Sequence, residues 1–135
     1  MKAYIDSDVI LDVLLGRKEF LSSSSQVINH CEMGKMEGCS TVLALANIFY
    51  ILNRYHSARA RKAIQALREL LTILPVTDLE IGKALTSTFK DFEDGVQNFT
   101  AEQHGCEIII TRNKKDFSRS QLQVLTPNEY LLQVS

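Results

Sequence analysis

The sequence predicts an α/β domain whose mostly parallel central sheet of four to five short strands is covered by helices on both faces. Two observations lead to this class. Short β-branched or apolar runs alternate along the whole chain with stretches of helical period. No hairpin signal joins any two of the strands, and strands separated by helices pair in parallel. The length of 135 residues sets the scale at one domain, with no internal repeat and no composition shift to mark a boundary.

Each element has its own signal. Residues 2–5, Lys-Ala-Tyr-Ile, read as a short strand that stops at Asp6. Ser7 or Asp8 then caps a helix carrying Val9, Ile10, Val13 and Leu14, and Gly16 ends it. The serine run 22–25 leads into a helix with Val27, Ile28 and Cys31, closed by Gly34, and residues 36–40 form a second strand. Residues 41–53 are the most apolar segment and predict a helix inside the domain. Ser57 caps the next helix, with Ala60, Ala63, Ile64, Leu67 and Leu71 as its apolar stripe. Residues 72–76 read as an edge strand because of Pro75. Asp78 and Asp91 each start a helix, the second turning Phe92, Val96 and Phe99 inward and ending at Gly105. Residues 107–111 are a β-branched strand, residues 122–125 the last strand, and Pro127 opens a closing helix.

Composition excludes several function classes. Sixteen acids against 15 bases leave a net charge of −1, so binding to nucleic acid by bulk charge is excluded and any such binding is local. The longest apolar stretch, residues 41–52, falls short of the ~20 residues a membrane span needs. Asp6, Asp8 and Asp12 stand where the apolar core of a signal peptide would lie. Cys31, Cys39 and Cys106 are odd in number and include no CxxC pair, which reads as reduced thiols buried in a cytosolic protein.

Acids recur at one structural place. Asp6 and Asp8 follow the first strand, Asp91, Glu93 and Asp94 open a helix, and Asp116 lies just beyond the strand 107–111. In a parallel sheet, strand-end acids from distant parts of the chain meet at one edge, where ligands bind. Crowded carboxylates stay ionised together when a cation lies between them. Oxygen donors without His or thiolate partners select hard ions, hence Mg²⁺ or Mn²⁺, which activate water and stabilise phosphoryl charge. A plainer reading stands beside this one: Asp91 with Asp94 fits a helix cap, Asp8 with Asp12 a solvated helix face, and Asp116 the cap of a helical turn.

The run Ile-Asp-Ser-Asp-Val-Ile-Leu-Asp at 5–12 resembles the opening of PIN-domain ribonucleases. Lys-Asp-Phe-Glu-Asp at 90–94 and Thr-Arg-Asn-Lys-Lys-Asp-Phe at 111–117 resemble their later acidic motifs. The order and spacing cover the whole chain and look most like the small bacterial VapC-type toxins. The resemblance implies a three-layer α/β/α sandwich and a Mg²⁺- or Mn²⁺-dependent endoribonuclease. It implies that Asp6, Asp94 and Asp116 are the catalytic, metal-holding acids. Asp8, Asn47, Asn113 and Thr111 become supporting or water-positioning residues, with Ser40 an alternative to Thr111. It further implies an antitoxin protein and a homodimer as partners. One departure matters: many members carry Glu in the helix after the second strand, where this chain has Asn47. An amide offers an oxygen but no charge. A PIN-fold module that binds RNA or protein without catalysis is therefore the second reading.

Positive charge is local. Arg112, Lys114 and Lys115 beside Asp116 are the expected RNA contacts. Arg54, Arg59, Arg61, Lys62 and Arg68 form a second basic run that also reads as a solvated helix face. Asp6-Ser7-Asp8-Val9 leaves open an aspartyl-phosphate hydrolase, although its companion Lys motif is missing.

Overall fold

The computed structural model describes residues 1–135. In chain order the elements are β1 (Lys2–Ile5), α1 (Ser7–Leu14), α2 (Leu21–Glu32), β2 (Glu37–Thr41), α3 (Val42–Tyr55), α4 (Ser57–Leu70) and β3 (Thr72–Leu74). They continue with α5 (Asp78–Leu85), α6 (Phe92–Gln103), β4 (Ile108–Ile110), a 3₁₀ turn (Lys114–Phe117), β5 (Gln123–Leu125) and α7 (Pro127–Val134). The five strands are all parallel, in the order β3-β2-β1-β4-β5.

Side chains alternate across each strand, and this alternation builds two apolar layers. Ala3, Ile5, Ile108 and Ile110 face a core shared with Val9 and Ile10 of α1, Val27 of α2, Ile48 and Leu52 of α3, Leu67 of α4 and Tyr130 of α7. Tyr4, Cys39 and Ile109 face the other way, against Ala101 of α6 and Phe117 of the 3₁₀ turn. The result is three layers, helix–sheet–helix. All three cysteines are buried. No helix is long and apolar enough to cross a membrane.

Several local expectations need correction. The first helix is capped by Asp6, whose side chain accepts the Ser7 N–H, rather than by Ser7 or Asp8. Ser22–Ser25 lie within α2, where packing outweighs the modest helix propensity of serine. Helix α3 is only half inside: Val42 and Tyr50 are exposed, while Ala44, Leu45, Ile48 and Leu52 are buried. His56, not Ser57, occupies the cap position of α4, with no side-chain bond. Phe92 is exposed too, since it falls in the first turn of α6, beyond the sheet.

Gly38 shows how tightly α2 approaches the sheet. A Cβ at this position would stand 2.5 Å from Cys31 Sγ and 2.9 Å from Leu71 Cδ2. Gly38→Ala is expected to destabilise the fold by about 1–3 kcal/mol, read as a lower urea midpoint with an unchanged slope.

Candidate active site

The strand order reverses direction between β1 and β4. From β1 the chain builds outward through β2 and β3, then crosses back to lay β4 and β5 on the other side. Ile5 and Ile110 are register partners there, and the chain leaves both strands at the same edge. This is the switch point at which parallel sheets bind ligands.

Asp6 stands at its centre. Its backbone N–H donates to the Ile110 carbonyl at 2.9 Å, extending the β1–β4 pairing by one bond. One carboxylate oxygen accepts the Ser7 N–H at 2.8 Å, and the other accepts the Thr111 hydroxyl at 2.7 Å. Capping and site-building are thus the work of one side chain. The Asn113 N–H donates to Thr111 Oγ1 at 3.0 Å, and the Asn113 amide donates to Asp8 Oδ2 at 3.0 Å. Asp8 Oδ1 is buried without a partner.

Helix α6 brings the second group of acids. Asp91 caps it by accepting the Asp94 N–H at 2.9 Å, so the capping expectation holds for Asp91 alone and the Asp94 carboxylate is free of the cap. Asp94 and Asp116 line a shared cavity of about 500 Å³ with Lys90, Lys115 and Arg119 on its rim. Asn47 is half-buried, and its amide donates to Glu93 at 2.7 Å. This bond ties α3 to the first turn of α6.

The PIN domain model matches residues 2–115 of this chain. The chain belongs to the PIN domain family. It is 28% identical over 134 residues to Ribonuclease VapC1 of Aquifex aeolicus (strain VF5), covering 96% of this chain and 92% of that one. Among solved structures it is similar to a toxin–antitoxin complex from Klebsiella pneumoniae, with a TM-score of 0.69 at 23% identity, over 93% of this chain and 97% of that one. It is also similar to VapBC-1 from nontypeable Haemophilus influenzae, with a TM-score of 0.71 at 18% identity, over 95% and 99% of the two chains.

The electrostatics of this PIN domain follow from crowding. Asp6 is pushed up to about 7, chiefly by burial and then by Asp8, against the pull of the Thr111 hydrogen bond. Asp94 is also pushed up to about 7, by burial first and then by Asp91, Asp116, Glu93 and Asp8. Burial raises Asp8 as well, while the nearby Arg112 charge opposes it. No three acidic, His or Cys side chains converge on one point as a closed cage. The donors are nevertheless all oxygen, mutually repelling, and include the unpartnered Asp8 Oδ1. That chemistry fits a hard divalent cation.

Three sequence expectations change on contact with the structure. Arg112 turns inward, its Nε donating to Asp12 at 2.8 Å, with only about a fifth of its side chain exposed. Lys114 is exposed but pairs with Glu129 at 3.1 Å. Asp12 is fully buried rather than on a solvated face. Sequence reasoning also passed over Tyr4, whose hydroxyl is buried without a partner and whose pKa is raised by burial and then by Asp6, Asp94, Glu93 and Asp8. An aromatic in an apolar strand carries no sequence signal for such a place.

The raised carboxyls make stability depend on pH. Both groups hold their protons more tightly in the folded chain, so protons favour the fold. That contribution is whole below the unfolded value of 3.8 and is lost as pH rises through about 7. The unfolding temperature of the metal-free protein is expected to fall across this window. Asp94→Asn is expected to flatten the fall by on the order of 1 kcal/mol; a variant whose thermal profile overlays the wild type at every pH contradicts the crowding of Asp94.

Proposed function

We propose that this PIN domain is a divalent-metal-dependent endoribonuclease and the toxin of a toxin–antitoxin pair. The observation that carries the reading is the switch-point cluster, in which Asp6, Asp8, Thr111 and Asn113 interlock beside the Asp94–Asp116 cavity. The 28% identity to Ribonuclease VapC1 over nearly the full chain supports the same chemistry.

Asp6, Asp94 and Asp116 are the residues that would hold Mg²⁺ or Mn²⁺, with Asp8 and Glu93 adding charge around them. The bound ion supplies a polarised water and neutralises charge developing on the phosphodiester. The chain's own residues do the rest. Thr111 holds Asp6 in one orientation through its hydroxyl, and Asn113 does the same for Asp8. Lys115, with Lys90 and Arg119, sits on the cavity rim, where a phosphate backbone needs positive charge. Lys114 joins them when its exposed and weak pair with Glu129 opens. Tyr50, 65% exposed on α3, is open to a base or to a second copy of the chain.

The partners follow from the same reading: single-stranded RNA as substrate, an antitoxin protein that covers the acids, and a homodimer. The similar Klebsiella pneumoniae structure is a toxin–antitoxin complex, which supports the antitoxin. Exposed Val42 and Tyr50, about two turns apart along α3, support the dimer. A non-catalytic RNA-binding module is favoured by one observation, the open arrangement of the acids together with the uncharged Asn47.

One experiment separates the two. Mn²⁺ titration by calorimetry, run beside cleavage of a single-stranded RNA, compares wild type with Asp94→Asn. Metal binding and cleavage by the wild type are expected, and the substitution is expected to remove about two orders of magnitude or more of cleavage while leaving the circular dichroism spectrum unchanged. A folded wild type that binds RNA but neither binds Mn²⁺ nor cleaves would move the protein to the binding module.

A further inference from the structure

Asp12 lies in the second turn of α1 and is completely buried. A carboxylate taken out of water costs several kcal/mol unless charge and hydrogen bonds compensate it. Here they do so from three directions. Arg112 Nε donates to Oδ2 at 2.8 Å, the Ser24 hydroxyl donates to the same oxygen at 3.0 Å, and Arg17 reaches Oδ1 at 3.4 Å. The Arg112 guanidinium also lies over the Phe20 ring, 3.9 Å from its centroid. The arginine is therefore gripped by α1 on one side and by the entry to α2 on the other.

The two neighbours of Arg112 in the chain are the residues that hold the site. Thr111 donates to Asp6 and the Asn113 side chain donates to Asp8, while Asn113 and Thr111 are joined by a backbone-to-hydroxyl bond. Asp8 and Asp12 are one helical turn apart on the same face of α1. Residues 111–113 thus lie along α1 and meet it at Asp6, Asp8 and Asp12. The first two contacts are hydrogen bonds, from the buried Thr111 hydroxyl and from the exposed Asn113 amide; the third is an ion pair whose Asp12 end is completely buried.

We infer that the Asp12–Arg112 ion pair is a positioning strut for the nuclease site, locking the segment that places Thr111 and Asn113 on Asp6 and Asp8. This deepens the ribonuclease reading and rests on it. Arg112 acts through its neighbours and not on RNA, and Arg rather than Lys suits the position because a planar group stacks on Phe20 while donating to Asp12.

The test compares wild type with Arg112→Gln and with the double variant Asp12→Asn/Arg112→Gln. The double variant leaves no buried charge stranded, so it keeps the question open should the single variant fail to fold. Three readouts are taken on folded protein: hydrogen exchange at the Asn113 amide, Mn²⁺ affinity, and the separate effects on kcat and KM for RNA. Loss of the strut is expected to speed Asn113 exchange, weaken Mn²⁺ binding by about tenfold to a hundredfold and lower kcat by about a hundredfold, with KM and its salt dependence unchanged. A folded double variant with wild-type Asn113 exchange overturns the inference. So does a raised KM with a reduced salt slope and unchanged kcat, which would return Arg112 to the RNA surface. A wild type with neither metal binding nor cleavage sinks the nuclease reading, and exchange at Asn113 then decides the strut by itself.

Discussion

The hydrogen bond from the Thr111 hydroxyl to Asp6, 2.7 Å long, joins residues 105 positions apart at the point where the sheet changes direction. It exists because β1 and β4 pair in parallel with Ile5 opposite Ile110, so both strands release their next residue at one edge. A slip of one residue would turn Tyr4 and Ile109 to the other layer and carry Asp6 and Thr111 out of reach. The apolar alternation that builds the two cores therefore also sets the site.

Around this joint the chain tolerates an electrostatic burden. Asp6 and Asp94 are both held near 7 by burial and by neighbouring acids. A group of residues selected for stability alone would not be gathered this way, because each ionised member raises the cost of the next. The hydrogen bonds present relieve only part of that cost. Thr111 and Asn113 satisfy one oxygen each on Asp6 and Asp8, and Asp8 Oδ1 is left without a donor. Asn47 shows the same economy from the other side of the cleft: an uncharged amide on α3 holds a charged Glu93 on α6.

Two ionic environments in this molecule behave in opposite ways. Asp12, fully buried, has Arg112, Ser24 and Arg17 as partners and is satisfied. Asp6 and Asp8, partly open to solvent, have hydrogen bonds but no full counter-charge. The first arrangement stiffens the segment 111–113, and the second leaves negative charge at its tip. Rigid support beneath an unsatisfied edge is the arrangement that a preorganised catalytic site requires.

The sequence by itself determined the alternation of strands and helices, the parallel sheet, and the placing of Asp6 directly after the first strand. Period-2 and period-3.6 patterns are local properties, and an acid directly after an apolar strand is visible in a single line of residues. It could not distinguish Asp12 from Asp8. Both are helical acids at the same spacing, and only packing against α2 and the 111–113 segment decides that one is sealed in and the other faces the site. The direction of Arg112 was hidden for the same reason: a basic residue among Lys114, Lys115 and Asp116 reads as surface until Phe20 and Asp12 are seen beneath it. The exposure of Tyr50 and Phe92 belongs to this class as well, because an apolar side chain is buried only where another element arrives to cover it. Local physics specified which elements form; the long-range meeting of those elements decided which charges are partnered and which are left for a ligand.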